Sequence, residues 1–118
     1  MTNEHMTQNF RREEFACRCG CGFDTINLGL VMMLQALRDR LVKPIHVHCG
    51  CRCPAHNKRV GGVPESQHVG GLAADISVDG IDPSALFDMC RQFDGVGLYE
   101  WGVHVDVRGW RARWEDIA

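Results

Sequence analysis

At 118 residues the chain has room for one modest hydrophobic core and not two, so a single compact domain is expected. Its 45% hydrophobic and 24% charged residues exclude intrinsic disorder, and a formal net charge of −2 argues against a nucleic-acid partner. No apolar run reaches the roughly 18 residues of a membrane span, and the polar start lacks the apolar stretch of a secretory signal. The expectations are therefore no membrane insertion and synthesis in the cytoplasm without a signal peptide.

In chain order, residues 1–14 read as a polar N-terminal tail and residues 15–118 as the domain. Phe15 to Gly22 form a Cys/Gly-rich entry loop without helical or strand period. Leu30, Leu34, Leu37 and Leu41 then recur at spacings of three and four, which predicts an amphipathic helix over 28–41 with Asn27 as its cap and Pro44 beyond its end. Met32 and Met33 in that helix are expected to fill the core. Ile45 to Cys49 reads as a strand, and Gly50 to Gly71, rich in glycine and without sustained period, as one long functional loop. Leu72 to Val78 fits a buried strand. Asp82 and Pro83 open a helix through about Phe93, with Leu86, Met89, Cys90 and Phe93 on its inner face. Gly95 to Tyr99 and Val103 to Arg108 are strands joined by Glu100-Trp101-Gly102 in a hairpin. The class is α+β: a small, mainly antiparallel sheet with flanking helices.

Side chains alternate along a strand, so Val103, Val105 and Val107 face a core while His104, Asp106 and Arg108 share the other face. His68 and Asp75 flank the small-residue segment from Val69 to Ala74, where Gly70 and Gly71 permit a tight entry into the strand. Two imidazoles and a carboxylate make a three-ligand zinc set with the fourth position open, the arrangement of catalytic sites.

The run Ser66-Gln67-His68-Val69-Gly70-Gly71-Leu72-Ala73-Ala74-Asp75 resembles the S-x-H-x-x-G-x-A-x-D signature of the zinc D-Ala-D-Ala carboxypeptidase family, which shares its fold with the Hedgehog signalling domain. Gly50-Cys51-Arg52 with the residues after it is similar to that family's S-G-Y-R segment. Gly95-Val96-Gly97-Leu98-Tyr99 and Val103-His104-Val105-Asp106-Val107 are similar to its closing strands. The resemblance implies a Hedgehog/DD-peptidase-like fold, a Zn2+ cofactor held by His68, Asp75 and His104, and a monomer that cuts peptidoglycan peptides as a D,D-carboxypeptidase or murein endopeptidase. It further implies an endolysin-like protein of phage or bacterial origin that acts on the cell wall after release. Arg52 matches the family's substrate-binding arginine, and Ser66 stands where it would support a ligand or substrate.

The general base departs from the family pattern, because Trp101 stands three residues before His104 where many relatives carry a carboxylate. Asp106, on the face of His104, is expected to act as base or orienting group, with Glu100 on the turn as the second candidate. Seven cysteines leave three further readings open: disulfides, buried thiols, or a second metal site drawn from Cys17, Cys19, Cys21, Cys49, Cys51 and Cys53. Rival functions are a non-catalytic zinc-containing wall-binding module on the same fold, a cysteine peptidase using Cys49 or Cys51 beside His48, and a zinc ribbon.

Overall fold

The computed structural model describes residues 4–116. Among them the chain forms a short 3₁₀ turn (Arg12–Phe15), helices α1 (Leu28–Leu41), α2 (Pro54–Arg59) and α3 (Pro83–Met89), and strands β1 (His46–Cys49), β2 (Ala73–Ser77), β3 (Gly95–Tyr99), β4 (Val103–Asp106) and β5 (Ala112–Asp116). The sheet order is β1-β2-β4-β3-β5, antiparallel except for the parallel pair β3–β5. This is the expected α+β class. Period-two alternation gives the sheet two different faces. Ala74 and Ile76, Val96 and Leu98, and Val103 and Val105 join one buried cluster with Leu30, Val31, Leu34 and Leu37 of α1 and Leu86, Cys90 and Phe93 of the α3 region. Asp75, His104 and Asp106 lie on the opposite face.

The helix caps follow the sequence closely. The Asn27 side chain accepts the Leu30 N–H at 3.0 Å, which satisfies one of the donors left open at the start of α1. Val42 ends that helix in the left-handed region (φ 54°) and donates its N–H to the Arg38 carbonyl. Asp82 accepts from the Ser84 N–H, with Pro83 in the first turn of α3.

Several expectations need correction. The helix from Asp82 stops at Met89 rather than near Phe93, because Cys90 and Phe93 donate to the Phe87 and Cys90 carbonyls in tight turns instead of continuing the α ladder. Met89 and Met32 are exposed, and Met33 alone of the paired methionines packs against the core. The loop from Gly50 to Gly71 contains α2, whose cap is a cysteine: Cys53 Sγ accepts the His56 N–H at 3.3 Å. Within the stretch expected as a polar tail, Phe10 is buried against Phe15 with ring centres 5.9 Å apart, a burial contributing about 2 kcal/mol. Asn9 is tied there to Gln35 of α1 by two hydrogen bonds of 2.8 Å. Residues 1–3 of that stretch lie outside the described residues.

Candidate active site

Register places the polar residues in one row across the sheet. Cys49 pairs with Asp75, Asp75 with His104, His104 with Gly97, and Gly97 with Trp114. Directly opposed residues on one face touch, so this row is a continuous surface. The irregularity between Val47 and Cys49 on β1 brings Cys49 into line with Asp75. His68 reaches the row from the loop before β2, where its N–H donates to Ser66 Oγ (3.2 Å) and the Gly71 N–H donates to its carbonyl (3.1 Å). Gly71 has φ +71°, and a side chain there would collide with the Thr25 backbone, so the turn into β2 demands glycine.

His68 Nε2 and His104 Nδ1 each lie 3.2 Å from the same atom, Asp75 Oδ1. The remaining ring nitrogens are held from behind: His68 Nδ1 donates to the Gly50 carbonyl at 2.7 Å, and His104 Nε2 to Asp106 Oδ2 at 2.7 Å. Such outer bonds fix which nitrogen turns inward. All three side chains are buried. Burial alone pushes the His68 imidazolium down, but Asp75 and Cys49 outweigh it and hold its pKa up at about 10. The Asp75 carboxyl is raised by burial but lowered more by His104 and His68, which leaves it well below the usual carboxylate range. The metal-free cluster is thus an anion clamped between imidazoles.

Cys49 complicates the picture. Its Sγ lies 3.6 Å from His68 Nδ1, and among the described residues the group at this site whose metal-binding atoms all lie within 4.8 Å of one another is Cys49, His68 and Asp75, without His104. Its thiol, although raised by burial, is lowered overall by His68 and Arg52. His68 Nδ1, however, already donates to Gly50 at hydrogen-bond distance, so using it for a metal would sacrifice that bond.

Asp106 has no exposed surface. Besides His104, it accepts from Arg108 through Nε (3.0 Å), one terminal nitrogen (2.8 Å) and the backbone N–H (3.1 Å). Burial raises its carboxyl, but His104 and Arg108 prevail and keep it ionised. A Cβ on Gly95 would run into this carboxylate, and one on Gly97 into the Trp114 ring. The alternate glycines of β3 therefore form a trough that admits Asp106 and lets Trp114 pack on His104, with ring centres 4.9 Å apart. The Arg108 guanidinium stacks on Trp114 at 5.1 Å.

The row opens into a cleft of about 380 Å³ bordered by His68, His104, Arg52, Ser66, Tyr99 and Trp114, with the carboxylates Glu65 and Asp116 also on its wall. Arg52 is steered into it by Asn57 Oδ1 (2.8 Å) and Cys49 Sγ (3.4 Å), and its own N–H donates to the His68 carbonyl (2.9 Å). Asn57 is fixed in turn by its amide bond to the Val63 carbonyl. Arg52 Nε is buried with no hydrogen-bond partner among the described residues, a costly state for a charged group.

Of the residues singled out in the sequence, the structure brings His68, Asp75 and His104 together and sets Arg52 and Ser66 beside them. Asp106 stands behind His104 rather than in the cleft. Glu100 is exposed on the β3–β4 turn and is not among the cleft residues. His48 does not pair with a thiol, since its Nε2 meets Ser77 Oγ at 2.6 Å. Sequence reasoning did not single out the cleft residues Trp114, Glu65 and Asp116, and it set Cys49 beside His48 where the structure sets it beside His68 and Arg52. Trp114 and Asp116 had a period-two signal, but Ala112–Asp116 is too polar to read as a strand.

A family model described as Peptidase M15 matches residues 8–108, most of the chain. No curated protein matches it.

Proposed function

Because the chain belongs to the peptidase M15 family, we propose that it is a zinc metallopeptidase hydrolysing peptide bonds in peptidoglycan stem peptides, as a D,D-carboxypeptidase or murein endopeptidase. The observation that carries this reading is the pair of imidazoles flanking one Asp75 oxygen, each with its outer nitrogen engaged. Two neutral nitrogens and a carboxylate oxygen suit zinc, and His68, Asp75 and His104 would hold it. When bound, the metal supplies a Lewis acid that polarises the scissile carbonyl and makes water a nucleophile near neutral pH.

The remaining roles follow from position. Arg52, on the cleft wall and held by Asn57 and Cys49, offers a fixed cation to a terminal carboxylate or to the carbonyl oxygen as it gains charge. Tyr99 and Trp114 wall the cleft. Ser66 holds the loop that presents His68. Asp106 acts as the orienting group of His104, since burial and four hydrogen bonds remove it from the reacting bond. Proton transfer then falls to a carboxylate on the cleft wall, Glu65 or Asp116, in preference to Glu100.

The alternative, a non-catalytic zinc-containing wall-binding module, would share both the metal cluster and Arg52, so turnover is what distinguishes the two. Digestion of purified peptidoglycan with and without a chelator, with fragments identified by mass, separates the two. Chelator-sensitive release of stem-peptide fragments supports the peptidase. Binding to the wall without any released fragment, in metal-replete protein, contradicts it. Chelator-resistant release blocked by a thiol reagent would point to Cys49 as a nucleophile.

A further inference from the structure

A second cluster lies on the loops, and it uses four of the seven cysteines. The sulfurs of Cys17, Cys19, Cys21 and Cys53 all lie within 4.8 Å of one another. Cys17 and Cys19 are 3.5 Å apart, and Cys19 and Cys53 are 3.7 Å apart. A tetrahedron of zinc–sulfur bonds at about 2.3 Å has edges of about 3.8 Å, whereas a disulfide needs about 2.05 Å. The spacing fits ligands around an ion and is too long for a disulfide.

The backbone is shaped for this convergence. In an extended strand, alternate residues would stand about 6.6 Å apart. Here the segment curls: the Cys17 N–H donates to the Phe23 carbonyl (2.8 Å) and the Gly20 N–H to the Cys17 carbonyl (3.2 Å). Gly20 and Gly22 take φ of +81° and +91° within that curl, with open space around both, so glycine is required there for conformation and not for room. Independently, three of the four sulfurs receive backbone N–H groups: Cys53 N–H to Cys17 (3.4 Å), Phe23 N–H to Cys21 (3.5 Å) and His56 N–H to Cys53 (3.3 Å). Donors aimed at sulfur favour the thiolate, the form that binds metal.

The other cysteines are set apart by the same geometry. Cys51 turns inward and donates to the Phe15 and Phe23 carbonyls at 3.1 and 3.2 Å, and Cys49 faces His68 and Arg52. The chain leaves the strand after Cys49, so 49, 51 and 53 do not share the common face that alternation would give them, and three thiols fall in three environments.

We propose that Cys17, Cys19, Cys21 and Cys53 form a structural zinc site, separate from the candidate active site, that fastens the entry loop to the start of α2. Four thiolates leave no open position, so this ion holds structure and does no chemistry. Its link to function is covalent. Cys53 follows Arg52 and caps α2, and Asn57 of α2 holds the Arg52 guanidinium, so the ion fixes the scaffold from which Arg52 enters the cleft.

The test is a metal count on protein purified under reducing conditions. Wild type should carry two zinc ions per chain. A Cys19→Ser, Cys21→Ser double variant should carry one and His104→Ala should also carry one. Cys19 and Cys21 are exposed, so the first variant leaves the core intact. Cobalt substitution identifies which ion is lost: thiolate-to-cobalt charge-transfer absorption should persist in His104→Ala and disappear in the cysteine variant. A single metal per chain in wild type that survives the cysteine double substitution would overturn the proposal, as would a disulfide among these four residues in the reduced preparation.

Discussion

The His68–Asp75–His104 cluster and the four-cysteine cluster, the two proposed metal sites, bring their side chains together in opposite ways. The first is laid across a sheet: register aligns Asp75 with His104, and packing with hydrogen bonds from behind fixes each ring, leaving one side open to a cleft. The second is gathered by a curled loop and a helix cap, with sulfurs surrounding a point and backbone N–H groups directed at them. A rigid open site suits reaction, and a closed one suits fastening. The difference also decides what each site tolerates. Sheet ligands depend on their neighbours' volume, and loop ligands on backbone conformation.

Ligand replacement should produce the largest separation. His104→Ala is expected to lose the active-site metal and about 10⁴-fold or more in kcat/KM, because the Lewis acid goes with it. Far-UV circular dichroism should change little, since the hydrophobic core lies on the other face of the sheet. If His104→Ala kept its activity, the active-site assignment would be wrong.

Asp106→Asn comes next. It retains the shape behind His104 but removes the charge that orients the ring and pairs with Arg108, so active-site zinc affinity should fall about 10- to 100-fold. Saturating zinc should restore most of the activity. A variant that binds zinc normally yet stays inactive would instead show Asp106 to be the proton acceptor, and Glu65→Gln and Asp116→Asn would then be nearly silent.

A smaller effect is expected with pH. With the metal-free His68 held at about 10, zinc must displace its proton. Affinity at the active site should therefore rise about tenfold per pH unit from neutrality and level off once His68 is deprotonated. Calorimetry in buffers of different ionisation enthalpy reads the released proton directly. A pH-independent affinity would mean that His68 is neutral before binding.

The smallest test contrasts two glycines. Gly20→Ala meets no atom and costs only the left-handed backbone penalty, about 1 kcal/mol, whereas Gly95→Ala drives a methyl into Asp106 and should cost up to about 3 kcal/mol with loss of active-site zinc. Equal losses in denaturant titrations would remove the proposed distinction between conformational and packing control.

Much of the sheet and its row was legible because alternation in Val103 to Asp106 and the cap at Asn27 are local signals that tertiary packing did not override. The short helix α2 was hidden, since a cysteine cap lies outside the usual Ser, Thr, Asp and Asn set and six residues are too few for a period. β5 was hidden for another reason: three of its five residues are charged, and it is held by pairing with β3, a partner 17 residues earlier in register from Ala112 to Gly95, whose choice no local pattern reveals. Asp106 could be placed beside His104 by counting, but not behind it. That distinction depends on the glycine trough and on Arg108, which only the assembled sheet displays.

The most direct test of the active-site assignment is an anomalous difference map from crystals of zinc-loaded protein. The account predicts a peak about 2.0–2.2 Å from His68 Nε2, Asp75 Oδ1 and His104 Nδ1, facing the cleft. A peak bound instead by Cys49 Sγ and His68 Nδ1, with His104 uninvolved, would contradict it.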